Sequence, residues 1–178
     1  MRIREERKTD LDPIRNINNL AFGREEEGRI VDKLRDAGTL IISLVAVRDY
    51  VENSRQLREL VGHIGFSPVA IESESTGFQA VCLGPVSVLP NYQKQGIGIK
   101  LVKAGLSKCL ASGHPLVVLV GHPTYYPRFG FVQARRLGIE CEYSQTPDDA
   151  WMLIELREGV LAGRHGTVKF QPEFREAV

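Results

Sequence analysis

Three groups of residues in the chain have the types and spacing that chemistry requires. The first is a glycine-rich turn, Gln93-Lys-Gln-Gly-Ile-Gly-Ile-Lys100, between an apolar run closed by Pro90 and a helix-like segment. Gly96 and Gly98 let the backbone turn tightly and approach a ligand without interference from a Cβ. The opening amides of a helix lack intrahelical partners and sit at its positive dipole end. With Lys94, Lys100 and Lys103 nearby, the turn reads as a phosphate cradle. Two nucleotide loops do not fit it. Leu101 stands where a dinucleotide fingerprint needs its third glycine, and no Gly-x-x-x-x-Gly-Lys-[Ser/Thr] string occurs. A helix start merely softened by glycine is the plain alternative.

The second group is aromatic: Tyr125, Tyr126, Phe129 and Phe131 around Arg128. A phenol donates a proton at neutral pH, whereas the plain reading is a packing cluster. The third is Cys82, Cys109 and Cys141 with His63, His114, His122 and His165. The cysteines are odd in number and far apart, as expected of small buried thiols in a reducing compartment. A thiol in a strand, as at Cys82, reads as inert core. The histidines show no metal-ligand spacing, so no metal is expected.

The surrounding pattern supplies elements to position these groups. Ile3 and its neighbours form a short first strand. Thr9 or Asp10 caps a helix with Ile14, Ile17, Leu20 and Ala21 on its apolar face. A second helix follows Phe22-Gly23, burying Ile30, Val31 and Leu34 and stopping at Gly38. Leu40–Val47 and Leu60–Phe66 read as paired strands joined by a charged connection, Arg48–Arg58. Phe78–Leu89 is a long apolar strand. A helix then buries Ile99, Val102, Leu106, Cys109 and Leu110, and Leu116–Val120 is an interior strand. Strand, helix, strand in that order predicts a parallel pair. Trp151–Leu156 is a further strand.

Composition bounds the function classes. The 178 residues carry 23 Lys+Arg against 22 Asp+Glu, with 43% hydrophobic and 25% charged residues. That balance excludes disorder, collagen and a coiled coil, and the length suits one domain with its own core. No apolar run approaches the ~20 residues of a membrane span. The first residues lack the apolar region of a secretory signal, so a cytoplasmic protein is expected. The charge is unevenly spread. Residues 75–139 contain no Asp or Glu but seven Lys and Arg, a local positive field suited to an anion. Buried strands, which carry no charge of either sign, are the alternative explanation. A nucleic-acid partner is not expected, because no recognisable module occurs and the pI is near 7.7.

Gln93-x-x-Gly96-x-Gly98, directly after a strand, resembles the pyrophosphate loop of the GNAT superfamily of N-acetyltransferases. Tyr126-x-Arg128-x-Gly130-Phe131, after the next strand, resembles the family's Y-x-[KR]-x-G-F element. Over nearly the whole chain, Ala21-Phe22-Gly23, Val61-Gly-His-Ile-Gly-Phe-Ser-Pro68 and Trp151 to Gly163 are similar to a group of predicted bacterial N-acetyltransferases.

This resemblance implies an α/β (α+β) fold over residues 1–178 as one domain. Its mixed, mostly antiparallel sheet of about six or seven strands would splay at a central parallel pair, flanked by helices. It implies acetyl-CoA as cosubstrate, bound by main chain at Val86, Ser87 and Val88 and by Gln93, Lys94, Gln95, Gly96, Ile97, Gly98, Ile99 and Lys100. The Val88 amide would meet the thioester oxygen, and Tyr126 would protonate the leaving sulfur, with Tyr125 as rival. An Asn that the family often carries before the tyrosine is absent from Leu119-Val120-Gly121-His122-Pro123. No general base is assigned: Glu25, Glu26, Glu27, His63 and His122 are candidates, each with a structural explanation. The expected activity is transfer of an acetyl group to a small amine or a protein amino group, with a homodimer as an open arrangement. A non-catalytic acyl-CoA-binding regulatory module is the alternative. Neither the acceptor nor a preference for acetyl over longer acyl groups is legible.

Overall fold

The computed structural model describes residues 1–74 and 76–177, without the side chains of 176 and 177. Its elements in chain order are β1 (Arg2–Glu5), α1 (Leu11–Phe22), α2 (Glu26–Asp36), β2 (Ile42–Glu52), β3 (Arg55–Glu72) and β4 (Phe78–Val88). They continue with α3 (Ile97–Ala111), β5 (Leu116–Val120), β6 (Val132–Gln133), β7 (Ile139–Cys141), β8 (Trp151–Glu155) and β9 (Gly166–Lys169). The strands form one mixed sheet in the order β1-β2-β3-β4-β5-β8-β6, with β9 on β3 and β7 on β9. The α/β class expected from the sequence is the one observed. Among the described residues the sheet has nine strands, more than the expected six or seven; β6, β7 and β9, at two to four residues each, are too short to show an alternating pattern in the sequence.

The chain divides into two units, each built from segments distant in sequence. The first comprises residues 1–66, 84–105 and the C-terminal residues from 173. Here β2 and β3 pair antiparallel from Ile42↔Phe66 to Glu52↔Arg55. Asn53 and Ser54 close the hairpin with φ of 48° and 60°, the two left-handed residues of a primed turn. The charged stretch Arg48–Arg58 is therefore strand on both sides of a two-residue turn, not a long connection. Its charges pair across the ladder, Arg58 with Asp49 at 3.2 Å and Arg48 with Glu59 at 3.6 Å. On one face, Val45 and Val47 pack with Ile14 of α1 and Val31 of α2. Elsewhere on β3, Gly105 of α3 lies so close to Phe66 that a Cβ there would stand 2.5 Å from its ring.

Two expected core positions are corrected. Leu20 is 51% exposed while Asn18 is fully buried, and Leu110 is 47% exposed while Leu101 is fully buried. The expected positions Ile14, Ile17, Val102, Leu106 and Cys109 are buried, so each stripe holds and departs from hydrophobicity at its edge.

The second unit comprises residues 67–83 and 106–172. β4 and β5 run parallel, Val81 beside Val117 and Cys82 beside Val118, as the strand–helix–strand order requires. β8 is antiparallel to β5 along its length. Trp151 is fully buried and donates its indole N–H to the Ile139 carbonyl at 2.9 Å. A second parallel pair, β7 with β9, is not legible from sequence.

Candidate functional site

In the first unit, β4 ends at Val88 and a short 3-10 turn, Pro90–Tyr92, leads into the glycine-rich loop. Tyr92 anchors that lead. Its hydroxyl donates to Glu59 Oε2 at 2.7 Å and accepts from Arg48 at 2.6 Å. Gln93 donates its side-chain amide to the Val88 carbonyl at 3.0 Å, so this glutamine braces the end of the strand. Gln95 does likewise for the Asn91 carbonyl at 3.2 Å.

Lys94 and Gly96 adopt positive φ, 59° and 79°. The left-handed lysine has no signal in the sequence. Gly98 is the second residue of α3 and does not have positive φ, so only Gly96 exploits the backbone freedom of glycine in this loop. A Cβ on Gly96 would meet no atom within 4 Å, leaving open space over the backbone. Ile97 is buried and fixes the start of α3, whereas Lys94, Gln95 and Lys100 are exposed. The first turn of α3 holds no acid. Open backbone at a helix start, where first-turn amides have no intrahelical partner, and two lysines fit a phosphorylated ligand.

Behind the last residues of β4 lies polar structure that the motifs do not predict. Ser87 is 2% exposed and donates to Asn18 Oδ1, while partly buried Val86 and Val88 flank it. Asn18 and His63 are both fully buried, and Asn18 Nδ2 lies 3.2 Å from His63 Nδ1. His63 Nε2 lies 3.0 Å from Ser43 Oγ. Burial drives the His63 pKa down to about 3; the charge of Glu6 opposes this and that of Arg35 assists it. His63 is thus a neutral histidine with both ring nitrogens engaged, not a titrating base. Polar residues in the core phase of an apolar pattern, such as Asn18 beside Ile14 and Ile17, are the available signal.

In the second unit, Tyr126 opens a 3-10 turn, Tyr126–Phe129, ended by Gly130 at φ 99°. Its half-buried ring packs edge-on against Tyr125 and Phe131, centroids 5.1 and 5.8 Å away. The other side of the ring lies on Gly121, where any Cβ would overlap Tyr126 Cε2. The sequence departs from the family's asparagine in this region, and at Gly121 the space is taken by the tyrosine ring. Burial raises the Tyr126 pKa above the ordinary phenol value, helped by Tyr125 and Cys82. Tyr125, its rival, is shifted in the same direction by burial and lies under the Arg128 guanidinium, 4.6 Å from its ring centre.

Among the other candidates, Glu27 is buried and held by Arg24 at 3.0 Å, a structural ion pair. Cys82, Cys109 and Cys141 are free and buried, and burial pushes the Cys82 thiol up to about 12. Among the described residues, no cluster of three or more His, Cys, Asp or Glu side chains is placed to hold a metal. No helix among them is long and apolar enough to cross a membrane.

Residues 2–134 match the family model described as an acetyltransferase (GNAT) domain. The chain is 31% identical over 174 residues to the uncharacterised N-acetyltransferase YhbS of Escherichia coli K12, covering 98% of each. The crystal structure of the Escherichia coli YhbS protein in complex with CoA superposes with TM-score 0.85 at 29% identity, over 98% of this chain and 91% of that one. A GNAT family acetyltransferase from Brucella melitensis in complex with acetyl-CoA gives TM-score 0.74 at 34% identity, over 97% of both chains.

Proposed function

The chain belongs to the GNAT acetyltransferases, and from that premise we propose that it transfers an acetyl group from acetyl-CoA to a primary amine by direct attack. The observation that carries this reading is the loop from Gln93 to Lys100, with its open backbone at Gly96, acid-free helix start and flanking lysines. The two structural relatives named above are complexes with CoA and with acetyl-CoA, which supports the assignment.

Acetyl-CoA supplies an activated acyl carbon. Main-chain groups of Val86, Ser87 and Val88 hold its pantetheine arm, and the Val88 N–H donates to the thioester oxygen. Gln93, Lys94, Gln95, Gly96, Ile97, Gly98, Ile99 and Lys100 hold its pyrophosphate, the side chain of Gln93 acting by bracing Val88. As the amine nitrogen bonds to the acyl carbon, the carbon–sulfur bond breaks. The amine loses a proton to solvent water and the sulfur gains one. Tyr126 donates its O–H to the departing sulfur. Its raised pKa keeps it protonated throughout the working range, so solvent can restore the proton without a metal.

The acceptor is a small amine or an exposed protein amino group, and residues 1–178 act as one catalytic domain. The three buried free thiols support a reducing, cytoplasmic setting. Calorimetric titration with acetyl-CoA tests the donor assignment. A saturable one-site isotherm is expected, and no heat of binding at high micromolar protein would overturn it.

A further inference from the structure

Ser87 lies in the segment assigned to the acetyl donor, yet its hydroxyl is turned to the interior, where it joins a hydrogen-bonded chain within the first unit. Arg35 donates to both carboxylate oxygens of Glu6, at 2.8 and 2.9 Å. Burial alone would raise the Glu6 pKa, but hydrogen bonds from Arg35 and Ser43 outweigh it and keep the carboxyl ionised. An ionised Glu6 only accepts, so the Ser43 hydroxyl donates to it. With its hydrogen committed, Ser43 accepts from His63 Nε2–H, which leaves Nδ1 as the acceptor facing Asn18. Asn18 Nδ2 donates to that nitrogen and to the Ile14 carbonyl at 2.9 Å, which fixes the amide orientation. Asn18 Oδ1 is then the acceptor for Ser87. Every link points one way, from Ser87 toward Glu6.

Aliphatic side chains of similar volume would stabilise such a core at least as well. What the polar chain adds is direction, because aligned dipoles reinforce one another and admit a single arrangement. Three successive residues of β4 and its exit are each tied to a different segment. Ser87 is tied to α1, the Val88 carbonyl to Gln93 at 3.0 Å, and the Leu89 N–H to the Val61 carbonyl of β3 at 2.9 Å.

We infer that Ser87 is a positioning residue for acetyl transfer: the chain Glu6–Ser43–His63–Asn18 fixes the rotation of β4 at Ser87 and so aims the Val88 N–H at the thioester oxygen. This inference rests on the acetyl-donor reading above. An N–H donor aimed at a developing negative charge loses its effect steeply as the angle opens.

The test is the infrared carbonyl stretch of acetyl-CoA, isotope-labelled at the thioester carbonyl and bound at saturation. The wild-type protein should lower that frequency relative to free acetyl-CoA. Ser87→Ala should lose about half or more of the displacement, and Ser87→Thr, which keeps the hydroxyl, should retain it. Ser43→Ala, beyond His63 and outside β4, should show a smaller loss and serves as the reporter if Ser87→Ala does not fold. A full wild-type displacement in Ser87→Ala, or equal loss in the Ala and Thr variants, would overturn the positioning role and leave the donor reading standing. A wild-type protein that binds no acetyl-CoA would overturn both.

Discussion

Tyr126 and Gly121 act as a pair. The phenol ring rests on the bare backbone of Gly121, and burial holds its proton on. Tyr126→Phe keeps the ring packing and removes only the donor, so it should lower kcat by roughly 10²-fold, the ordinary worth of a general acid. Steady-state thiol release checks this; an unchanged kcat would move the acid role to Tyr125 or to water. Gly121→Ala approaches the same ring from below and should lower kcat while leaving the hydroxyl in place. The motif around Tyr126 is legible because its residue types are unusual at that spacing. Gly121 is not, because a glycine that makes room for a ring five residues later leaves no pattern of its own. For His63, burial rules out the role of base, and no single-residue reading of the sequence reveals that burial.

At the scale of elements, the helices and strands that carry the site follow from periodicity: α1, α2, α3, β4 and β5 all occur where the apolar pattern places them. The far end of the β2–β3 hairpin is not legible, because charged residues dominate it. Cross-strand ion pairs, invisible to a single-strand pattern, keep it extended. A buried polar residue joins the stripe of α1 for a similar reason, since Asn18 has partners on β3 and β4. Gly105→Ala would press a methyl group into the fully buried Phe66 ring, so despite better helix propensity it should destabilise by about 1–2 kcal/mol, read as a fall in Tm. The chain beneath β4 also makes stability depend on pH. His63 titrates near 6.5 when unfolded and near 3 when folded, so between those values the unfolded chain binds the extra proton. The His63 contribution to stability is therefore complete above about pH 6.5 and is lost as pH drops toward 3, by up to about 1.4 kcal/mol per unit. Thermal melts across that window should show a shallower decline for His63→Gln; equal slopes would contradict the assignment.

Across the whole chain, the near-balance of charge conceals residues 75–139, which lack any acid. Part of that stretch is buried strand, as in β5, and part is the exposed lysines of the loop and α3. A ligand with several phosphates held by such a field should lose affinity as salt rises, because exposed charges are screened beyond about 8–10 Å at physiological ionic strength. Titrations of CoA at low and high salt should show weaker binding at high salt, and a salt-independent affinity would assign the contacts to buried groups instead. Fold class is thus legible in local pattern, and the motif at Gln93–Lys100 is what proposes the donor loop. The acceptor is not, because amine recognition depends on side chains brought together from distant segments and on no fixed string. Acetyl transfer to an amine is therefore tested most directly by turnover. Purified protein incubated with acetyl-CoA and a broad panel of small amines and peptides should release free CoA thiol with at least one acceptor, which mass spectrometry finds heavier by one acetyl group. Tight binding of acetyl-CoA with no acetylated product from any acceptor would contradict it.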